Sequence, residues 1–316
     1  MTSDRGRLES NRPSDGGRRS VRRSLAMLAV AAAVLVLMLV SFLLHRLLGT
    51  DREQQARGEA PSSWAEPQTA ERAALLERVA AKRLQLDSMV GRTIPIPGGT
   101  FQMGDDDGNH NERPSHAAKV APFEMDEIEV TVAAYQLCVG ADKCTAPDTS
   151  IHCNWGHPDR RNHPVNCIDW NQALAFCAWA AKRLPTESEW EFASRGPRSG
   201  RFPWGDHAPS PDLCWQRGVA DAETARGTCP ANTGLMDGQS PFGVRGLADN
   251  VREWTATALC AYTRPDCTST ARVIRGGAWT DTDPLGMRAA LRNAKPPDYR
   301  SPSLGLRCAR DVLDKP

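Results

Sequence analysis

The sequence has no clear excess of charge of either sign. It contains 39 basic and 38 acidic side chains, which gives a formal net charge of +1. Proteins that bind nucleic acids present a strongly positive field over one face, and this near-cancellation provides none. We therefore expect no nucleic-acid partner.

Cysteine is missing from the first 137 residues, and all ten cysteines lie from Cys138 onward. An even number of cysteines confined to one part of a chain indicates disulfides, if that part folds in an oxidising compartment. Cys153 and Cys167, with His157 and His163, also have zinc-like spacing, but outside the cytoplasm a disulfide is the preferred interpretation. Connectivity cannot be deduced from sequence. Proximity suggests four bridges: Cys138–Cys144, Cys153–Cys167, Cys214–Cys229 and Cys260–Cys267.

Internal repeats are also missing, and long helices are scarce after residue 93. The 23 prolines and 25 glycines favour a loop-rich fold. Two helices are predicted within this part of the chain, one beginning near Val130 and one from Asp169 to Lys182. In the segment LPTESEWEF, Thr186 and Glu189 have the spacing of a capping box. We interpret the glutamates of this segment as capping or solvated groups rather than as paired catalytic carboxylates.

One long apolar run is present, from Leu25 to Leu44. At ~1.5 Å per residue it would cross the ~30 Å hydrocarbon core of a bilayer as one helix. Seven arginines precede it, and only His45 and Arg46 follow it closely. The positive-inside rule then predicts a cytoplasmic N-terminus and an extracytoplasmic remainder. A cleaved signal peptide is the alternative, but the end of the run has no small-residue cleavage pattern.

These features predict four regions. Residues 1–23 would form an Arg-rich disordered tail, and residues 25–44 the transmembrane helix of a single-pass inner-membrane protein. Residues 50–92 would form a partly helical stalk, with an apolar stripe at Leu76, Val79, Ala80 and Leu84. Residues 93–316 would form the periplasmic or extracellular domain.

Seven short motifs follow one another between residues 95 and 310. In chain order they read IPGGTFQMG, EVTVAAY, KRLPTESEWEFASRG, FPWGD, FGVRGLADNVREW, RVIRGGAW and LGLRCA. This series resembles the formylglycine-generating-enzyme, or sulfatase-modifying-factor, family. The resemblance implies a loop-rich α+β domain related to C-type lectins. It also implies a disulfide between Cys177 and Cys308.

The oxidases of this family hold Cu(I) with two thiolates, which follow a Gly-Gly-Ser/Thr-aromatic turn. Here Asp281 stands at the first thiolate position, Gly286 at the second, and Ala278 at the serine position. Neither a carboxylate nor a glycine can replace a thiolate at Cu(I), which prefers soft sulfur ligands. We therefore assign no catalytic residue and expect no copper.

The family also binds calcium within the block that matches FGVRGLADNVREW. The resemblance implies backbone oxygens of Asp249 and Val251 and the carboxylate of Glu253 as ligands. Gly246 replaces an asparagine of the family block, so a calcium site here would be weak. The alternative is that Glu253 is a buried partner of an arginine.

Three functional hypotheses remain open. The first is a non-oxidase binding module whose loop tryptophans contact a peptide, a protein or a glycan. The candidate residues are Trp155, Trp204, Trp215 and Trp279, although large aromatic side chains more often fill a core. The second is an oxidoreductase of another chemistry, although His110, His116 and His163 form no recognisable iron-binding pattern. The third is a purely structural component of the envelope.

Overall fold

The computed structural model of the protein describes residues 65–217, 227–231 and 238–312. The expected cytoplasmic tail, the apolar run at 25–44 and the first part of the expected stalk lie outside these residues. Within the described ranges, no helix is both long enough and apolar enough to span a bilayer.

Four α-helices are described. They are α1 (Ala65–Val90), α2 (Val132–Gly140), α3 (Trp170–Trp179) and α4 (Glu187–Arg195). Short 3-10 turns are found at His110–Glu112, Pro158–Arg160 and Pro284–Met287.

Nine short strands accompany these helices. They are β1 (Thr93–Ile96), β2 (Gly99–Met103), β3 (His116–Val120), β4 (Phe123–Asp126), β5 (Arg252–Ala258), β6 (Arg272–Arg275), β7 (Arg292–Lys295), β8 (Leu304–Gly305) and β9 (Ala309–Asp311). The described part of the chain is therefore loop-rich and of the α+β class, as the sequence predicts.

The strands form three small sheets in the described ranges. One has the order β1-β4-β9, one is the hairpin β2-β3, and one has the order β7-β6-β5-β8. Only the β5–β8 pair is parallel, with Glu253 opposite Gly305. Since β9 pairs with β4, the last described strand completes a sheet that begins at residue 93.

Side-chain caps set where the three domain helices begin. Thr131 accepts a hydrogen bond from the backbone N–H of Ala134 at the start of α2. Reciprocal capping boxes begin α3, at Asp169 and Gln172, and α4, at Thr186 and Glu189. Such caps satisfy N–H groups that have no partner within the helix. The capping box predicted at Thr186 is thus confirmed.

Apolar burial divides the domain into two main hydrophobic clusters. The first joins α2 and α3 to the sheet through β5, with Tyr135, Phe176 and Trp254 fully buried. The second packs α4 against the hairpin β2-β3, and Phe101 and Phe192 contact each other at 5.3 Å between ring centroids. Aromatic contacts of this kind add to the stabilisation from burial alone.

Helix α1 differs from the expected stalk in its packing. Its partly covered face runs through Leu76, Val79, Leu86 and the buried Val90, whereas Leu84 is 73% exposed. The covered face therefore agrees with the predicted apolar stripe at Leu76 and Val79 but departs from it at Ala80 and Leu84, which are exposed. Residues 72–90 of this helix belong to the same compact unit as the strands that follow it.

All ten cysteines lie among the described residues, and none is free. The bridges are Cys138–Cys144, Cys153–Cys167, Cys177–Cys308, Cys214–Cys229 and Cys260–Cys267. These are the pairs suggested by proximity, together with the Cys177–Cys308 pair implied by the family resemblance.

Candidate functional site

The loop after β6 begins with two glycines that are required by a close approach of two backbone segments. A Cβ atom on Gly277 would lie 2.1 Å from the carbonyl oxygen of Ala248, a contact that no side chain allows. Gly276 has φ of +89°, in the region that favours glycine. The loop is therefore held against residues 247–248, and this contact positions the Asp281 turn.

Asp281 and Gly286 lie side by side in this loop. A Cβ atom on Gly286 would be 3.0 Å from Cγ of Asp281. The Asp281 carboxylate accepts a hydrogen bond of 2.8 Å from the backbone N–H of Ala278 and forms an ion pair with Arg252 at the start of β5. The two positions at which the family resemblance implies thiolates are thus adjacent in space, and a carboxylate paired with a guanidinium stands at the first of them.

This arrangement does not fit copper. Cu(I) sites are built from soft sulfur ligands, and the residues here offer one hard carboxylate that is already paired with a cation. Every cysteine of the chain is also bonded in a disulfide, so no thiolate is available to replace the missing pair. Asp281 and Gly286 therefore offer no thiolate pair that could hold Cu(I).

The expected calcium ligand Glu253 is fully buried and engaged on both oxygens. Arg307 Nε donates to Oε1 at 2.9 Å and to Oε2 at 2.7 Å, and the indole N–H of Trp190 donates to Oε2 at 2.7 Å. Calcium would need an oxygen that is free to coordinate it. Glu253 therefore has the arginine pairing that the sequence analysis gave as the alternative, and it does not fit a calcium ligand in this geometry.

The expected ligand Asp249 lies close to Glu129, a residue that the sequence did not single out. Glu129 and Asp249 line a cavity of about 60 Å³, and Gly246 is tight against Glu129, because a Cβ there would lie 2.6 Å from the carboxylate. Asp249 accepts a 2.7 Å hydrogen bond from the backbone N–H of Cys214. Burial raises the pKa of Glu129 to about 8, and it also raises the pKa of Asp249. The carboxylates of Glu129 and Asp249 are therefore both buried, and Val251 is buried as well.

The glutamates of α4 correct one expectation. Glu189 caps the helix and pairs with Arg183, but Glu187 and Glu191 are buried rather than solvated. Both bind the fully buried Arg275, at 2.8 and 2.7 Å. The burial of Glu187 and Glu191 could not be predicted from the sequence, because Arg275 lies more than eighty residues further along the chain. These carboxylates are structural ion-pair partners.

The histidines and the Asp105–Gly108 segment do not assemble a metal site. Across the described ranges, no group of three or more His, Cys, Asp or Glu side chains is arranged to hold a metal ion. Asp105 pairs with Arg288, and its carbonyl accepts a hydrogen bond from the N–H of Gly108, which makes the segment a turn. His163 bonds Thr228 through Nδ1, and burial lowers its pKa.

The four candidate tryptophans divide into core and surface positions. Trp279 is buried at 3% exposure and packs against His152, with 5.3 Å between the ring centroids. Trp155, Trp204 and Trp215 are partly buried. Three of the four donate the indole N–H to a backbone carbonyl: Trp204 to His207, Trp215 to Ser210 and Trp279 to Pro302. Trp155 is the exception.

Comparison with known proteins identifies the family of the chain. The family profile described as sulfatase-modifying factor enzyme 1-like domain matches residues 79–312, and the chain belongs to this family. It is 31% identical over 282 residues to the formylglycine-generating enzyme of Streptomyces coelicolor, covering 69% of this chain and 89% of the relative. It is 32% identical over 268 residues to the inactive C-alpha-formylglycine-generating enzyme 2 of Bos taurus, covering 68% and 87%.

A solved structure has the same fold. PvdO from Pseudomonas aeruginosa superposes with a TM-score of 0.57 at 25% identity, covering 70% of this chain and 94% of PvdO. The family thus contains both enzymes and a member named as inactive, and membership alone does not assign an activity to this chain.

Proposed function

We propose that this chain is a non-oxidase member of the family, a binding or interaction module held at the outer face of the cytoplasmic membrane. The observation that carries the proposal is the Arg252–Asp281 ion pair beside Gly286, at the positions where the oxidases carry two thiolates. The similarity to a relative named as inactive is consistent with it.

The proposed location rests on other evidence. The apolar run at 25–44, with arginines before it, supports a single transmembrane helix and an extracytoplasmic domain. Five disulfides in the described domain also support folding in an oxidising compartment. The partners proposed here are the membrane and an extracytoplasmic peptide, protein or glycan.

The weak calcium site that the resemblance implies at Asp249, Val251 and Glu253 is not part of this proposal, because both oxygens of Glu253 are already engaged. Binding there would require Glu253 to give up at least part of its pairing with Arg307, so we expect added calcium to leave the thermal midpoint of the full-length chain unchanged. A midpoint that rises with calcium and returns on chelation would support the original expectation.

Copper binding tests the proposed function directly. The full-length chain, purified in detergent, is titrated with Cu(I) against a chromophoric chelator, and its metal content is measured as isolated. We expect no competition for Cu(I) and no stoichiometric copper or iron. One tightly bound Cu(I), or one iron per chain, would overturn the proposal in favour of an oxidoreductase of this family.

A matched variant shows that the assay can detect a site here. D281C/G286C places two thiols at adjacent positions, and it releases residue 281 from its bonds to Arg252 and to the N–H of Ala278, so that its side chain can turn away from residue 286. After reduction of this introduced pair, the variant is expected to compete for Cu(I), because two soft thiolates suit this ion. The single variant D281C provides the background for one added thiol.

A further inference from the structure

A second cavity lies between α2 and the loop that follows Cys153. Its volume is about 290 Å³, near the lower end of small-ligand pockets. Its lining includes the side chains of Gln136, Trp155, Pro158 and Arg161. None of these belongs to the Asp281 loop.

Trp155 contributes a ring surface and a free donor. Its ring meets Tyr135 edge-on at 6.0 Å between centroids, which fixes its position beside the first hydrophobic cluster. Its indole N–H has no hydrogen-bond partner among the described residues. Tryptophans that are partly buried usually satisfy this group, as Trp204 and Trp215 do here.

Arg161 contributes charge that no carboxylate neutralises within the described ranges. Its Nη1 donates to Oε1 of Gln136 at 2.9 Å, which orients the guanidinium and leaves its other N–H groups available. Oε1 of Gln136 faces Arg161, and the amide nitrogen of Gln136 is a further hydrogen-bond donor. The nearest acid in sequence, Asp159, forms no ion pair with it.

The polar groups assembled by Trp155, Arg161 and Gln136 are thus hydrogen-bond donors beside one aromatic face and one proline. An acceptor that carries negative charge would satisfy them, and a planar carboxylate matches the fork of a guanidinium. We propose that this cavity binds a small carboxylate whose apolar or ring body lies on Trp155. The inference rests on the binding role proposed above but is independent of the copper result.

The chemistry could be supplied by a peptide carboxyl terminus or by an acidic sugar, and two probe pairs separate these sources. N-acetylphenylalanine is compared with its amide, and D-glucuronate with D-glucose, by calorimetry on the full-length chain. We expect one of the two acids to bind at least about tenfold more tightly than its neutral counterpart, as for a charge-assisted hydrogen bond. The acid that binds identifies the source.

Gln136→Glu tests the site without disturbing the core, because residue 136 is exposed on α2. The new carboxylate would neutralise Arg161 and repel the ligand, so binding should weaken about tenfold or more. Gln136→Ala should retain binding within about threefold, since Arg161 remains charged. Gln85→Glu makes the same change at a distant exposed position on α1 and should leave binding unchanged.

Trp155→Phe keeps a ring and removes the donor, so it should weaken the acid more than the neutral probe. The inference fails if neither acid binds, if acid and neutral probes bind equally, or if Gln136→Glu and Gln85→Glu behave alike. Because copper binding is measured separately, failure here would leave the non-oxidase proposal in place, and copper binding would leave this site in place.

Discussion

Arg275 is the arginine that joins the two buried glutamates of α4. It is 1% exposed and bonds Glu187, Glu191 and the carbonyl of Ala289. Arg292 also pairs with Glu187, and Arg195 also pairs with Glu191, so the charges form a network. Buried charges are tolerated only when they are paired and hydrogen-bonded.

Replacing Arg275 by methionine should therefore be strongly destabilising. The change removes one partner from each of two buried carboxylates, and breaking such a pair costs ~3–5 kcal/mol. Arg300→Ala is the control, since its pair with Asp169 is 40% exposed on the arginine side and should contribute less than ~1 kcal/mol. Urea unfolding of the two variants measures the difference; equal midpoints would contradict the structural role of Arg275.

Glu129 should make stability depend on pH. Its pKa rises from 4.5 to about 8, chiefly because burial disfavours the charged form, and Glu253 and Asp249 add repulsion while Arg307 opposes it. Between these values the folded protein keeps the proton that the unfolded chain releases. The free energy of unfolding contributed by this group therefore falls as pH rises from 4.5 to about 8.

Glu129→Gln should remove this contribution, because glutamine keeps an acceptor for the amide of Asn250 and cannot ionise. Relative to the unmodified chain, the variant should gain thermal midpoint steadily between pH 5 and pH 8. Glu77→Gln, on the exposed face of α1, should show no such trend. A constant difference across this range would mean that Glu129 does not titrate there.

At the residue scale, the identity of neighbouring side chains in the Asp281 loop could be read from the sequence, whereas their ion-pair partners and burial could not. The family resemblance assigned the two thiolate positions to Asp281 and Gly286, and neither residue carries a thiol. Arg252, which pairs with Asp281, is 29 positions away and has no local signature. Long-range ion pairs of this kind become visible only once the chain is folded.

Among the elements, α4 shows that interactions between residues close in sequence determine where a helix begins. Thr186 Oγ1 accepts from the N–H of Glu189, and Oε2 of Glu189 accepts from the N–H of Thr186. Both interactions span three residues, so the motif could be read directly from sequence. The buried face of the same helix could not, since its partners lie on strands distant in sequence, β2, β5, β6 and β7.

Thr186→Ala should cost ~1 kcal/mol, the usual value for loss of an N-cap side chain. Thr186→Ser keeps the hydroxyl and should restore most of the stability. Chemical unfolding provides the measurement, with Thr149→Ala at an exposed loop position as the control. If alanine and serine at position 186 are equally stable, the cap does not stabilise α4.

At the scale of the whole molecule, the Cys177–Cys308 bridge joins α3 to the segment before β9. It spans 131 residues, compared with 6 for Cys138–Cys144. The family resemblance supplied this pairing, because two cysteines so far apart carry no proximity signal. The order of the motifs likewise predicted the α+β fold, whereas strand order depended on contacts that no single motif contains.

Loss of the longer bridge should destabilise the domain more than loss of the shorter one. In the chain-entropy model, closing a loop of this length contributes ~5 kcal/mol, against ~2 kcal/mol for the shorter loop. The comparison is between C177A/C308A and C138A/C144A, by denaturant unfolding under oxidising conditions. A larger loss for C138A/C144A would show that packing, rather than loop closure, sets the effect.

The position of β9 also has a consequence for biosynthesis. Residues 309–311 complete the sheet of β1 and β4, and the neighbouring Cys308 forms its bridge to α3. During synthesis β4 therefore stays unpaired on one edge until residues 309–311 have emerged. A premature stop that removes only the residues after Gly305 would leave an open strand edge on β4 and an unpaired thiol at Cys177, both of which promote association between chains.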